Sequence, residues 1–160
     1  MHPQDAPKAT PEQMLREILD VVTQLRDGHF STHLIDNLPG VGGEIAAALN
    51  GHLEFLKSYR DQHLRLMEEI GITGRLGGQI WLPDDMPKCA GAWKDMAEAT
   101  NLMASNLTAQ FRDFGITTGA VLQNQPDARA TCTSIAGEFR EFRENLNELN
   151  DRVHSDATVT

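Results

Sequence analysis

The chain has 160 residues, of which 40% are hydrophobic and 6% aromatic, and its formal net charge is -9. This length suits one domain or a few very small ones, and so few aromatic residues favour a helical bundle over a fold built around a large aromatic pocket. Nucleic acid and anionic membrane surfaces are excluded as expected partners, because proteins bind both mainly through clustered lysine and arginine.

The sequence has no run of about 18 apolar residues, which a membrane span requires. It does not begin with a basic region and an apolar core, which would predict a signal peptide. Its two cysteines, Cys89 and Cys132, have the spacing of neither a metal site nor a disulfide framework. We therefore expect a cytoplasmic protein without a membrane span.

A first helix is predicted from Thr10, a typical N-cap residue that is followed by Pro11. Gly28 ends this helix. Two adjacent apolar rows give the helix a face wider than a two-stranded seam needs, which favours a four-helix arrangement. The rows are Met14, Ile18, Val21 and Leu25, and beside them Leu15, Leu19 and Val22.

Residues 28–43 are too rich in glycine for a helix, yet several of them are apolar. A flexible loop does not need Phe30 and Leu34. We therefore predict an ordered connector that lies along a bundle and packs these side chains into its grooves.

A long second helix is predicted from Glu44, and its apolar residues follow two overlapping rows. Such a change of register indicates a stutter, where one bundle ends and the next begins. His52 and His63 fall on one of these rows. Two interpretations of them are open: a pH-sensitive pair across a dimer, or polar positions that set register and loosen the packing.

The second connector repeats the first. Gly28, Phe30 and Leu34 stand at offsets of zero, two and six, and the same offsets recur 46 residues later as Gly74, Leu76 and Ile80. A repeat of this kind indicates tandem copies of one structural unit. The next helix begins near Trp93 and follows steps of three and four. Its row is Trp93, Met96, Thr100, Met103, Leu107, Gln110 and Phe114.

The third copy is predicted to be degenerate. Gly119 and Val121 suit the start of a connector, but Gln125 is polar where the first two copies have an apolar residue, and Pro126 interrupts the run. A last helix is expected from about Pro126, with the most regular heptad pattern in the chain. Its row is Ile135, Phe139, Phe142, Leu146, Leu149 and Val153.

The order of helix, glycine-led connector and second helix resembles the HAMP domain, the signal-relay module of bacterial chemoreceptors and sensor kinases. The first copy carries the pattern as Gly28-His29-Phe30 with Leu34, and then Glu44-Ile45 at the start of the second helix. In the second copy, the runs GRLGGQ, GAWKDM and NLMASNLTAQ are similar to the repeats of poly-HAMP sensor histidine kinases.

This resemblance implies an all-α fold of tandem parallel four-helix coiled-coil bundles. A homodimer would form them, each chain giving two helices and a non-helical connector to every bundle. The implied division of the chain is a disordered lead-in over 1–10, a first HAMP unit over 11–57 and a second over 58–110. A degenerate third unit, or C-terminal coiled-coil helix, follows over 111–153, and a tail over 154–160.

The resemblance also implies the site residues. Two glycines let the chain leave the first helix of each unit, two residues mark the start of each second helix, and four apolar residues clamp the connectors to the bundle. In that order they are Gly28 and Gly74, Glu44 and Trp93, and Phe30, Leu34, Leu76 and Ile80.

The implied function is a non-catalytic signal relay in a sensor kinase or chemoreceptor pathway of the two-component type. Its partners would be a second copy of the chain and a histidine kinase or receptor output domain. Two other functions stay open: a helical bundle that senses a small molecule, supported by Met67, Met96 and Met103, and a dimeric scaffold whose last helix pairs with another protein.

No cofactor, metal or catalytic residue is expected. Asp84, Asp85 and Cys89 in the long second connector are a poor match to the ligand sets of usual metal sites, and no second cluster has ligand spacing. GRLGGQ lacks the lysine and the hydroxyl residue that end a phosphate loop. The serines have no nucleophile elbow motif.

Overall fold

The computed structural model describes residues 10–35, 40–81, 91–125, 127–133 and 135–157. Over these residues the chain forms four α-helices and no strand, so the all-α prediction is confirmed. The helices are α1 (Pro11–Arg26), α2 (Val41–Gly71), α3 (Ala92–Leu122) and α4 (Glu138–Ala157).

The start of α1 follows the predicted N-cap. The Thr10 hydroxyl accepts a hydrogen bond from the Gln13 backbone N–H at 3.2 Å, and the Thr10 N–H donates to the Gln13 side-chain oxygen at 2.8 Å. This reciprocal pair satisfies two backbone donors that a helix start otherwise leaves open. Pro11 occupies the first helical position, where its missing N–H costs nothing.

The other helix ends depart from the sequence prediction in different degrees. The start of α3 at Ala92 is one residue from the predicted Trp93, whereas α2 begins three residues before Glu44. Gly115 and Gly119 do not end α3, which continues to Leu122. A helical glycine costs only about 1 kcal/mol relative to alanine, which tertiary packing offsets.

The predicted start of the last helix near Pro126 is wrong, because α4 begins at Glu138. Residues 127–133 and 135–137 are non-helical. Backbone groups of Ala128, Ala130 and Cys132 are bound by side chains of the neighbouring helices. Ile135, assigned from its spacing to the helical row, lies in this connector and is buried there.

The chain divides into two compact units, Met1–Arg65 and Leu66–Thr160, so the division falls within α2. In the first unit, Val21, Leu34, Ala46 and Leu53 form the core, with Ile18, Leu25 and Leu49 packed around them. In the second unit, Phe114, Ala130 and Leu146 form a core cluster. The finer sequence division at residues 57 and 110 stays a prediction.

In the first unit α1 and α2 run parallel. The connector between them lies antiparallel to α2, since Phe30 contacts Arg60 and Leu34 contacts Asn50. It is also antiparallel to α1, because Thr32 bonds to Gln24 and Leu34 packs in the cluster that contains Val21.

The second unit repeats this path between α3 and α4. The connector contacts α4 at residues 150, 147 and 143 through its own residues 128, 130 and 132, and it contacts α3 at Asp113 through Cys132. The connector therefore turns back along α3, and α4 then runs parallel to α3. The last helix thus retains the parallel direction of a helix–connector–helix unit.

Candidate functional site

In each of the three connectors, an asparagine of the helix that follows binds both backbone groups of one connector residue. In all three, the amide side chain accepts a hydrogen bond from a connector N–H and donates one to the C=O of the same residue. We call this pair of bonds a clamp. A planar amide carries one acceptor and one donor side by side, as a strand neighbour does, and can therefore satisfy both backbone groups of an extended residue.

The first clamp joins Leu34 to Asn50 and is buried. The Leu34 N–H donates to Asn50 Oδ1 at 2.8 Å, and Asn50 Nδ2 donates to the Leu34 carbonyl at 3.0 Å. The second amide hydrogen of Asn50 faces His33 Nε2 at 3.2 Å. Because the Leu34 N–H and C=O are buried, water cannot bind them, and the Asn50 amide satisfies both groups.

The second clamp joins Ile80 to Asn101, with an N–H to Oδ1 distance of 2.7 Å and an Nδ2 to carbonyl distance of 2.8 Å. Further back along this connector, the Leu76 carbonyl accepts from Arg112 Nη2 at 3.5 Å. A Cβ on Gly78 would lie 2.9 Å from Leu66 Cδ1, so this connector passes close to the end of α2.

The third clamp joins Ala130 to Asn147, at 2.8 Å for the N–H to Oδ1 bond and 3.2 Å for the Nδ2 to carbonyl bond. Gly119 and Val121, where the sequence analysis places the start of a third connector, lie inside α3. The real connector begins after Leu122, so the third copy is complete in its backbone path although its residues differ.

The turn into each connector uses a residue with positive φ, six positions before the clamped residue. Gly28 has φ +84° and Gly74 has φ +68°. Asn124 takes this place in the third copy with φ +55°, and in the described ranges it is the one non-glycine residue with positive φ. Asparagine tolerates the left-handed conformation better than most residues, because its short side chain bonds locally.

The structure places the predicted site residues as follows. Leu34 and Ile80 are buried at the clamps, and the residues four positions before them, Phe30 and Leu76, are half-buried. The Arg60 guanidinium lies 5.7 Å from the centre of the Phe30 ring. Glu44 is exposed in the first turn of α2, and Trp93 is half-buried in the first turn of α3. The proposed roles of these residues stay predictions.

The predicted seam rows occupy the same positions in all three second helices when counted from the clamp asparagine. They stand five and one residues before it and two and six after it: Ile45, Leu49, His52 and Leu56; Met96, Thr100, Met103 and Leu107; Phe142, Leu146, Leu149 and Val153. Met103 is 54% exposed, Phe142 53% and Leu149 53%. The rows are exposed in part, since Leu146 belongs to the core of the second unit and Leu49 packs against the core of the first. Exposed apolar residues that recur at the same positions in successive helices are typical of an interaction surface.

A neighbouring face of each second helix, formed by the residues four before and three after the asparagine, lies next to this row and points toward the connector. In α2 these residues are Ala46 and Leu53, and in α3 they are Ala97 and Ala104; all four are at most 2% exposed. In α4 they are Arg143 and Asn150, both polar. The third copy therefore has a polar inner face where the first two are apolar.

His52 and His63 are both half-buried, as positions on a seam row would be. The His63 ring lies 4.2 Å from the Tyr59 ring, and its Nδ1 is 2.9 Å from the Tyr59 carbonyl. The His52 ring stacks near Phe55 at 6.3 Å. Each histidine therefore contacts the helix that carries it, and a pair across a dimer stays a prediction.

Within the described part of the chain, no group of three or more histidine, cysteine, aspartate or glutamate side chains could hold a metal ion. Asp84, Asp85 and Cys89 lie outside that part. None of the described helices is both long enough and apolar enough to cross a membrane. No protein-family model matches the chain, and no solved structure matches it.

Sequence reasoning missed the three asparagines. In the sequence, a single asparagine at the border of the apolar face of a helix looks like any solvent-exposed polar residue. The number of residues between the connector residue and its asparagine also varies, from 16 to 21 to 17. The recoverable signal was the seam row, because counting from each row locates an asparagine at the same step in every copy.

Proposed function

We propose that the chain is a tandem HAMP relay: a non-catalytic, cytoplasmic homodimer that passes a conformational change along stacked parallel bundles to a kinase or receptor output domain. The observation that carries this proposal is the repeated unit. Three helix–connector–helix copies share the turn, the clamp and a partly exposed row of residues in one register.

The exposed rows explain why a second copy is needed. Each row has members that face water in the single chain, namely Ile45, Met96, Met103, Phe142, Leu149 and Val153, which are 39–54% exposed. Two chains related by a parallel two-fold axis would bring equivalent rows together and complete four-helix bundles. The apolar row of α1, which contains Leu15 and Leu19 at 62% and 63% exposure, would add the remaining side of the first bundle.

The proposed relay mechanism follows from this architecture. In this mechanism, the two helices of a copy shift relative to one another while the connector stays clamped. Because α2 and α3 are each the second helix of one copy and the first helix of the next, a shift in one bundle changes the helix register in the next bundle. A signal then biases two arrangements that differ by a few kcal/mol.

The mass in solution tests the dimer, and two adjacent residues of α3 provide a matched pair. Met103 lies on the proposed seam and is 54% exposed, whereas Leu102 lies beside the seam and is 62% exposed. We expect the wild type and Leu102→Glu to have twice the chain mass of 17.7 kDa by light scattering. Met103→Glu places a like charge in each facing position and is expected to yield the monomer.

A wild-type mass of one chain at micromolar concentration, or the same behaviour of both variants, would refute the seam. Direction is tested separately with Leu149→Cys in a chain whose natural cysteines are replaced by serine. A parallel dimer brings the two new thiols together and forms an interchain disulfide, whereas an antiparallel dimer keeps them apart.

A second candidate function, binding of an apolar small molecule, is favoured by one observation. Phe111, Phe114, Glu138, Phe139 and Phe142 line an open groove of about 290 Å³. The methionines that supported this function in the sequence are 50–61% exposed. If the groove belongs to the seam, an apolar dye will bind monomeric Met103→Glu and not the wild type. Tight dye binding by the wild-type dimer would instead favour the small-molecule function.

A further inference from the structure

We propose that residues 128–132 of the third connector are a built-in weak link: this stretch detaches from α4 by local opening far more readily than the first connector detaches from α2. The third clamp is then the point at which a signal or a partner loosens the chain. The regulatory role rests on the proposed relay function, whereas the difference in local stability stands without it.

The first connector is held by apolar burial as well as by its clamp. Leu34 is 3% exposed and packs with Val21, Ala46 and Leu53. Releasing this connector would bring a large buried side chain and its apolar neighbours into water. It would also break hydrogen bonds that lie in a buried environment, where bonds are strong and water is absent.

Residues 128–132 of the third connector are held mainly by polar contacts, although Ala130 also packs with Phe114 and Leu146. Asn150 is 0% exposed, and its Nδ2 donates to the Ala128 carbonyl at 2.7 Å. Arg143 donates to the Cys132 carbonyl at 3.1 Å, and the Cys132 N–H donates to an Asp113 carboxylate oxygen at 3.0 Å. Side chains of α4 and α3 thus bind every second residue of the connector, at 128, 130 and 132.

Such contacts make the docked state specific without making it very stable. When this stretch detaches from α4, each N–H and C=O that it frees forms a hydrogen bond to water in place of its bond to protein. The net free energy lost per hydrogen bond is therefore much smaller than the energy of the bond itself. The side chain withdrawn from the core at the clamp is only the methyl group of Ala130. An opening confined to residues 128–132, which leaves the buried Ile135 in place, therefore exposes less apolar surface than the release of Leu34 does. Little apolar burial is typical of a region with low local stability.

Charged groups make this weak link sensitive to salt. Asp113, Arg143 and the pair formed by Arg129 and Asp151 all take part in holding the connector, and the Arg129 and Asp151 side chains are 39% and 60% exposed. Exposed charge contacts weaken as ionic strength rises. In the first connector, the Arg60 guanidinium contacts the Phe30 ring, but Leu34 itself is held by the neutral Asn50 and by buried apolar neighbours. The protection of Leu34 is therefore expected to respond less to salt.

Hydrogen exchange of three equivalent amides tests the proposal inside one molecule. The N–H groups of Leu34, Ile80 and Ala130 each donate to an asparagine Oδ1 at 2.7–2.8 Å. Measured by NMR on the full chain and corrected for intrinsic rates, protection of Ala130 is expected to be at least about tenfold lower than that of Leu34, a factor that corresponds to about 1.4 kcal/mol. Equal protection, or stronger protection of Ala130, would overturn the weak link.

Two further arms separate the proposal from simple fraying near the chain end. Raising salt from about 0.05 to 0.5 M is expected to lower the protection of Ala130 relative to Leu34 several-fold, because the charge contacts are screened. Asn150→Leu gives α4 the apolar residue that Leu53 provides in α2 and is expected to slow exchange at Ala130 while Leu34 stays unchanged. A ratio of Ala130 to Leu34 protection that does not change with salt would overturn the mechanism. Faster exchange at Ala130 in Asn150→Leu would also overturn it.

These outcomes are independent of the relay. If the chain proves to be a monomer, the relay proposal fails, yet the ratio of Ala130 to Leu34 protection still decides the weak link. If the chain is a dimer with equal protection at the two clamps, the relay stands and the weak link fails.

Discussion

The first and third connectors follow the same backbone path but use different chemistry to stay on it. Each leaves its helix through a residue with positive φ, and the next residue donates its N–H to a carbonyl five positions back: His29 to Gln24 at 2.8 Å, and Gln125 to Ala120 at 3.0 Å. Six residues after the turn, both are bound by an asparagine. Around the first clamp the neighbours are mainly aliphatic, whereas around the third Phe114 and Leu146 lie beside amides, a guanidinium and a carboxylate.

The difference shows that the geometry of this unit depends on the turn and the clamp, whereas its stability depends on what fills the inner face. A turn residue and an amide fix where the connector runs, because they satisfy backbone groups with directional bonds. Apolar side chains decide how tightly it is held there, because burial is non-directional and grows with area. The two contributions can therefore change independently from one copy to the next.

The largest effect is expected at the centre of the first core. Leu53 is 1% exposed, and Leu53→Ala removes buried methyl groups and leaves a cavity, which should lower the free energy of unfolding by about 2 to 5 kcal/mol. Chemical unfolding followed by circular dichroism measures this change. Leu102→Ala, at a 62% exposed position, is the control and should have little effect. Equal losses in both variants would contradict the core assignment.

The second largest effect on stability is expected from removing the clamps, and it should differ between the first and the third connector. Asn50→Ala leaves the buried N–H and C=O of Leu34 without a partner, and we expect a loss of about 2 to 4 kcal/mol. Asn147→Ala should cost only about 1 kcal/mol, because water can reach the part-buried groups of Ala130.

The same unfolding measurement checks this order. Asn50→Asp tests the donor bond separately, because a carboxylate retains the acceptor for the Leu34 N–H and loses the donor for the Leu34 carbonyl. A larger loss of stability in Asn147→Ala than in Asn50→Ala would contradict the predicted difference between the first and third connectors.

The turn residues are expected to show a smaller contrast. Gly28→Ala introduces a Cβ at φ +84° and should cost about 1 to 2 kcal/mol, although nothing lies within 4 Å of the added atom. Asn124→Gly removes a side chain from the same conformation and should change stability by less than about 1 kcal/mol. A large loss in Asn124→Gly would mean that the asparagine side chain, and not its backbone conformation, holds the third turn.

The sequence was sufficient for the parts of this fold that depend on apolar patterning. Four helices and the two glycine-led turns follow from periodicity and spacing, although the start of α4 was misplaced, and the seam rows stay a prediction. The third connector was missed because Asn124 and Ala130 fill the places of a glycine and a large apolar residue, so the pattern was absent although the path is the same. Gly119 then suggested a connector where α3 continues.

The asparagine clamps were hidden for another physical reason. A side chain that binds the backbone of a distant segment requires no particular residue at the other end, because every non-proline residue offers the same N–H and C=O. Leu34, Ile80 and Ala130 share a position and not a residue type, so no pairing of residue types points from the connector to its asparagine.

The smallest effect is expected at the N-cap of α1. Thr10→Ala removes the acceptor for the Gln13 N–H and should cost about 1 kcal/mol. This loss should stay within the first turn, because Leu34 is held by Val21 and Leu53, which lie well beyond it. Hydrogen exchange should therefore become faster at Gln13 and stay unchanged at Leu34. Thr10→Ser, which retains the acceptor, is the matched control. Faster exchange at Leu34 in Thr10→Ala would mean that the first connector shares the fraying of its helix, and the contrast with the third would lose its physical basis.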